Sequence, residues 1–365
     1  MSYIAVLPGD GIGPEVIEEA LKIIKSIESI SGNKYHIERG EVGGGAYDKH
    51  GDPLPENTID LIANCKSVLF GAVGGPKWDD LDSALRPEMG ILKIRKKLDL
   101  YANLRPVKIF EALKDSSPVK SEILSDVDIL IIRELTGGLY FGEPKKIMNE
   151  TPNRSAVDTM FYDESEIHRI VELAFRIAES KNVNLTSVDK SNVLETSKLW
   201  RKIVDEISVG YESVKYNHML VDNAAMQLIL NPSQFNIIVS ENTFGDILTD
   251  EASVLSSSLG MLPSASLSFI PGEFNKDKKS LYEPIHGSAP DIAGKGVANP
   301  IGMILSTAMM FEYSFNEKEI SELISDSVEK IINDGLRTKD ISGSEKFCST
   351  SEMGDAISEE ILSRG

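Results

Sequence analysis

The chain has 365 residues, a formal net charge of −19, 41% hydrophobic and 26% charged residues, and two cysteines. That length exceeds one ordinary core and implies two domains or lobes of a globular protein. The charge argues against nucleic acid or an anionic membrane as partner, since phosphates call for clustered Lys and Arg, but leaves open an acidic small substrate held in a local basic pocket.

The N-terminus opens on a strand-like run, Tyr3–Leu7, with no basic segment ahead of an apolar one, so no secretory signal is read. No apolar run approaches the length of a membrane span. Cys65 and Cys348 make neither a disulfide framework nor a zinc site. They read as reduced core thiols, and localisation as cytoplasmic. After the first strand comes Pro8-Gly9-Asp10-Gly11-Ile12-Gly13, and Pro14 opens a helix, where its missing N–H costs nothing. Val16, Ile17, Ala20, Leu21, Ile24 and Ile27 form that helix's buried face. A dinucleotide fingerprint would need glycine where Pro14 stands, so the loop reads as a close-packed strand–turn–helix, not a standard Rossmann site.

Further strands are predicted at Ser67–Gly71, Val127–Ile132, Leu185–Val188, Val214–Tyr216 and Ile237–Ser240. Helices are predicted at Pro55–Asn64, Asp163–Ser180, Leu194–Ile207, Val221–Leu230, Phe244–Leu259 and Glu317–Asn333. The alternation implies an α/β protein with a substantially parallel sheet. Gly- and Pro-rich stretches at 72–76, 136–144, 284–296 and 299–302 read as loops at strand ends, where such proteins place ligands.

Three arginines qualify as carboxylate binders. Arg95 lies in a helical stretch, Arg105 just beyond it, and Arg133 ends a buried apolar strand, where a charge must be paired or face a pocket. For any single one an internal salt bridge is the favoured reading; together they suit a substrate with more than one carboxylate. Tyr140 sits on a glycine-flanked loop, as a proton donor or as half of a Tyr–Phe pair covering the core. Lys190 follows a strand and could act as a base. Asp222 opens a helix, as a ligand or as a dipole partner. Asp246 and Asp250 lie four apart on one helix face, where two like charges gain from a hard divalent cation between them; a solvated acidic face is the plain alternative. In Glu283–Gly296, exposed amides could cradle phosphates and Asp291 could accept from ribose hydroxyls, or the run is a surface loop.

Taken in order, these segments resemble the β-hydroxyacid oxidative decarboxylase family of isocitrate and isopropylmalate dehydrogenases. The match runs nearly end to end, through Leu7–Glu15, Val73–Trp78, Arg133–Pro144, Asp189–Leu194, Asn242–Glu251 and His286–Pro300. The resemblance implies a two-lobed fold, with residues 1–100 and 257–365 as an outer lobe carrying most nucleotide contacts and 101–256 as an inner lobe. It implies a homodimer with shared sites, residues 149–158 forming an intersubunit arm. Arg95, Arg105 and Arg133 would hold malate carboxylates. Asp246, Asp250 and the second copy's Asp222 would hold Mg²⁺ or Mn²⁺. Lys190 of that copy would take the C2 hydroxyl proton with Asp222 assisting, and Tyr140 would protonate carbon after CO₂ leaves. Glu283, His286, Gly287, Ser288, Ala289, Pro290, Asp291, Ile292 and Asn299 would hold NAD, with Asn192 near the nicotinamide; Asp291-Ile292 implies NAD over NADP.

By the same resemblance, Arg86–Leu92 is the specificity region. Ile91 and Leu92 would wall an isopropyl group with Glu88 nearby, implying oxidative decarboxylation of 3-isopropylmalate to 4-methyl-2-oxopentanoate in leucine biosynthesis. Homoisocitrate, isocitrate or tartrate are the alternatives, as is a noncatalytic regulatory subunit.

Overall fold

A computed structural model describes residues 2–149, 153–273 and 277–364. Its strands, in chain order, are β1 (Ser2–Gly9), β2 (Tyr35–Arg39), β3 (Ser67–Ala72), β4 (Ala102–Lys108), β5 (Asp128–Glu134), β6 (Lys146–Met148), β7 (Ser155–Val157), β8 (Leu185–Asp189), β9 (Tyr216–Leu220), β10 (Ile237–Ser240), β11 (Pro263–Leu267) and β12 (Ser280–Pro284). The chain divides into two compact units: Met1–Leu100 with Ile109–Ser121 and Ser253–Gly365, and Tyr101–Lys108 with Glu122–Ala252.

The unit built from the chain ends orders its strands β2-β1-β3-β12-β11, parallel except for the β11–β12 pair. Every residue of β3 is buried, as a strand covered on both faces requires. The helix Gly13–Ser31 lays Val16, Ile17, Ala20, Leu21, Ile24 and Ile27 inward and ends where Gly32 turns left-handed at φ 72°. The glycine loop before it packs closely: a side chain at Gly11 (φ 59°) would stand 1.9 Å from the Ser288 carbonyl, which accepts the Ile12 amide at 2.8 Å. The buried Asp10 carboxylate ties this loop to two others, accepting amides of Gly44, Gly45 and Gly74 at 2.8–3.0 Å.

The other unit orders its strands β4-β5-β10-β8-β9, with β4 antiparallel to β5 and the rest parallel. Since β5, β10 and β8 run the same way, their carboxyl ends share one sheet edge. Arg133, the helix Asn242–Ser253 and Lys190 all emerge there. The helix Glu164–Lys181 starts with a reciprocal capping box between Asp163 and Glu166. β6 and β7 pair as a short antiparallel ribbon. The 149–158 segment overlaps this ribbon, and its residues 150–152 lie outside the described residues.

Several elements differ from the sequence expectation. The strand expected at Val214–Tyr216 is Tyr216–Leu220. The helix expected at Phe244–Leu259 spans Asn242–Ser253 and tightens into a 3-10 turn that ends at Ser257, held at φ 74°. Arg105 lies inside a strand, β4. The helix Ile301–Phe315 went unread because it is apolar on nearly all sides and shows no amphipathic period; β11 went unread because its buried positions include Ser264 and Ser266. The segment Ile109–Ser121, expected in the inner lobe, belongs to the chain-end unit. Leu113 and Ala112 offer their carbonyls to Ser257 and Arg337 at 3.0 and 3.1 Å, and Ser117 donates to the Val254 carbonyl at 3.0 Å. The boundary likewise falls at Ser253 and not Ser257. Cys65 and Cys348 are free and buried, and desolvation pushes both thiols up to about 11. Among the described residues no helix is long and apolar enough to cross a membrane.

Candidate active site

Arg133 is a buried side chain, 2% exposed at the end of β5. A buried guanidinium without partners would cost several kcal/mol, on the order of 3–5, so its surroundings are specified. Its Nε and Nη2 donate to Asn242 Oδ1 at 3.0 and 2.7 Å, and its Nη1 donates to the Asp246 carboxylate. Asn242 is held in turn by the Gly137 carbonyl at 3.0 Å. The helix carrying Asp246 can pass this close only because residue 245 is glycine: a Cβ there would meet Cβ and Cγ of Arg133 at 2.9 Å.

Asp246 is the hub. It accepts from Arg133, from Arg105 Nη1 at 3.5 Å and from the Tyr140 hydroxyl at 2.8 Å. Arg105 is steadied by Asn103, two residues back on the same strand face, at 2.5 Å. Tyr140 ends a 3-10 turn after Gly137, with the Arg133 guanidinium 5.6 Å from its ring centre. Burial, then the hydrogen bond to Asp246, pushes the Tyr140 hydroxyl up to about 12, so it remains a proton donor at neutral pH. One turn on, desolvation and then the charge of Asp246 hold the Asp250 carboxyl above its usual range. Two carboxyls one turn apart, Asp250 raised in this way and both offering only oxygen donors, suit a hard divalent cation. Among the described residues, no three Asp, Glu, His or Cys side chains of one chain gather closely enough to hold a metal.

Lys190 and Asp222 form a second cluster in the same unit, joined by a salt bridge. The hydrogen bond from Lys190 holds the Asp222 carboxyl below its usual range. Asp189 anchors the Lys190 loop, accepting the Ser191 amide at 2.8 Å and both arms of Arg201 at 2.9 and 3.0 Å. Asn192 is exposed beside it.

In the chain-end unit, Arg95 pairs with Glu283 at 2.9 Å, both largely buried, while Arg95 Nε is buried without a partner among the described residues. Glu88 reaches toward Gly74. Ile91 is 8% exposed in a core cluster with Val42, Leu54 and Ile94, so of the two apolar specificity residues only Leu92 is half-exposed.

The His286–Ile292 loop has a mixed character. His286 Nδ1 lies 2.9 Å from the Gly287 carbonyl, which places the ring proton there and leaves Nε2 as a buried acceptor with no partner among the described residues. Burial holds this imidazole below its usual range, hence neutral. Gly287 faces open space, whereas the amides of Gly294 and Gly296 are already taken by Glu15. Ser288 is buried, while Ala289, Pro290, Asp291 and Ile292 are partly or fully exposed. Asn299 has a structural role, accepting the Ile301 amide at 3.0 Å and donating to Asp340 at 3.0 Å. The orphaned Nε2 and the open Gly287 backbone fit a nucleotide rich in hydroxyl and amino donors.

Residues 3–357 match the family described as isocitrate/isopropylmalate dehydrogenase. The chain is 52% identical to the 3-isopropylmalate dehydrogenase of Bacillus subtilis (strain 168), over 99% of this chain and 97% of that one. It is also 52% identical to the enzyme of the same name from Aquifex aeolicus (strain VF5), over 98% and 96%. The crystal structure of isocitrate dehydrogenase from Methylococcus capsulatus superposes with a TM-score of 0.87 at 32% identity, covering 99% of this chain and 100% of that one. A β-decarboxylating dehydrogenase from Thermococcus kodakarensis, in its apo form, superposes with a TM-score of 0.78 at 35% identity, covering 99% and 96%.

Proposed function

The chain belongs to the isocitrate/isopropylmalate dehydrogenase family, and from that premise we propose that it oxidises and decarboxylates 3-isopropylmalate to 4-methyl-2-oxopentanoate and CO₂, with NAD as oxidant, in leucine biosynthesis. The observation that carries the reading is the hub at Asp246. Two guanidinium groups and a protonated phenol converge there on a carboxylate, which is the pattern needed to bind a dicarboxylic acid and return a proton to it. Relatives named for isopropylmalate share 50–52% of residues with this chain, against 32% for the isocitrate-named structure. That difference favours the alkylmalate, as does Leu92, half-exposed in the expected specificity region.

Arg133 and Arg105 would hold substrate carboxylates, which compete with Asp246 for the same donors and free it. Arg95 would contribute once its pairing with Glu283 loosens. Asp246 and Asp250, with Asp222 of a second copy, would hold Mg²⁺ or Mn²⁺, whose Lewis acidity stabilises negative charge on the C2 oxygen. Lys190 of that copy, with Asp222 assisting, takes the C2 hydroxyl proton while the C2 hydride leaves. The oxidation makes the carboxyl group on C3 a β-keto acid, so its C–C bond breaks as CO₂ departs. Tyr140 then returns a proton to the carbon left behind. One proton is removed and one restored, so NAD is the only net oxidant required.

His286 and the Gly287–Ile292 loop would hold the nucleotide, with Glu283 and Asn299 beside it, Asn192 toward the nicotinamide, and Asp291 disfavouring a 2′-phosphate by charge. Met226, Leu230 and Ile247 are at least half exposed, and such apolar side chains support a homodimer. Reduced-coenzyme absorbance, followed with NAD or NADP and with 3-isopropylmalate, isocitrate, homoisocitrate or tartrate, tests the reading. Preference for 3-isopropylmalate with NAD supports it; preference for isocitrate, or reduction with none of the acids, overturns it.

A further inference from the structure

Behind the Asp246 hub lies a buried polar set that the chemistry above does not use. Glu134 and Glu241 are 0% and 4% exposed, and the hydroxyl of the buried Tyr162 stands between them, 3.1 Å from one and 3.3 Å from the other. The same hydroxyl accepts the Asn242 amide at 3.0 Å. Each carboxylate also organises its own loop. Glu134 accepts the Thr136 amide and hydroxyl at 2.8 Å and the Gly137 amide at 2.9 Å. Glu241 accepts the Thr243 and Phe244 amides at 3.0 and 2.7 Å, which caps the helix carrying Asp246 and Asp250.

Tyr162 fills the space beside Gly137 and Gly138: a Cβ at Gly137 would stand 2.6 Å from its ring, and one at Gly138 2.6 Å from its hydroxyl. Glu134 follows Arg133, Glu241 precedes Asn242, and Gly137-Gly138 lead to Tyr140. The hydrogen bonds and glycine contacts of Tyr162 therefore end on residues that aim Arg133, Tyr140 or Asp246, while its ring also packs edge-on against Trp200. Burial, with the charges of Glu134 and Glu241, holds the Tyr162 hydroxyl far above its usual range, so it keeps its proton.

We propose that Tyr162 is a positioning residue for the reaction, its hydroxyl joining Glu134 to Glu241 so that Arg133, Tyr140 and Asp246 are held in mutual register. The kinetic half of this rests on the function proposed above; the structural half does not. Tyr162→Phe keeps the ring in place and removes only the junction. Amide hydrogen exchange on the full chain should show faster exchange in segments 133–142 and 241–250 and unchanged exchange in 3–31. Kcat/KM for the malate should fall by about tenfold or more, with KM for NAD within about twofold. Glu134→Gln, which weakens the same junction, should give the same selective pattern. In the double variant the second change should add little, as for groups acting as one unit.

Unchanged protection in both segments overturns the proposal, as does a uniform loss of protection throughout the chain. Strictly additive effects of the two changes overturn it too. If Tyr162→Phe does not fold, Glu134→Gln decides alone through the far side of the junction: faster exchange in 241–250 supports the proposal and unchanged exchange there refutes it, loosening of 133–142 following from the loss of Glu134's own loop bonds in either case. A wild-type protein that oxidises none of the acids would sink the functional reading, and the exchange pattern would still settle this one.

Discussion

Replacing Gly245 with alanine probes how closely the helix of Asp246 must approach β5. The added Cβ would stand 2.9 Å from both Cβ and Cγ of Arg133. Carbon atoms rest about 3.5–4.0 Å apart, so helix and strand must separate by roughly 0.5–1 Å. The obstructing atoms form the root of Arg133, fixed by its bonds to Asn242, and cannot swing away. Overpacking of this kind costs about 1–3 kcal/mol, while alanine in a helix interior returns about 1 kcal/mol relative to glycine. The net expectation is a loss of about 0–2 kcal/mol. The effect on rate should be larger, because a displacement near 1 Å at reacting groups costs on the order of 100-fold. Denaturant unfolding and NADH formation measure the two quantities on one sample. A variant more stable than wild type with undiminished kcat/KM would refute the close-approach argument.

Arg133→Lys, which cannot reproduce the paired bonds to Asn242, should raise KM for the malate by about 100-fold or more with KM for NAD nearly unchanged, read from steady-state rates. Tyr140→Phe should lower kcat by about 10²–10⁴-fold, read from steady-state rates. His286 is held below the usual histidine value, so its neutral form dominates above that value and is lost only as pH falls through the lower, folded-state value. Nucleotide affinity, followed by fluorescence titration, should therefore hold steady as pH drops through about 6.5 and weaken only below it. Ile91→Ser should chiefly destabilise the core, by about 2–5 kcal/mol on denaturant unfolding, while Leu92→Ser should shift preference among malates.

The strand-end positions of Arg133 and Lys190 were legible because each follows a short apolar run. Asp246 and Asp250 were legible because four-residue spacing puts them on one helix face. The supporting shell was not. Asn242 meets Arg133 across 109 positions, and Tyr162 meets Glu134 and Glu241 across 28 and 79. No local pattern marks such partners, and a buried glutamate reads in sequence like any solvated one. Ile91 shows the converse: an apolar residue beside a specificity loop and an apolar residue of the core look alike until packing separates them. Arg95, whose salt-bridge alternative stood open from sequence, is paired with Glu283 here.

The most direct test of the account follows NADH and CO₂ together from purified protein given 3-isopropylmalate, NAD and Mn²⁺. One CO₂ per NADH, with both products abolished by chelation and by Asp246→Asn, is the outcome anticipated. NADH accumulating without CO₂, or turnover indifferent to both the cation and Asp246, would contradict it.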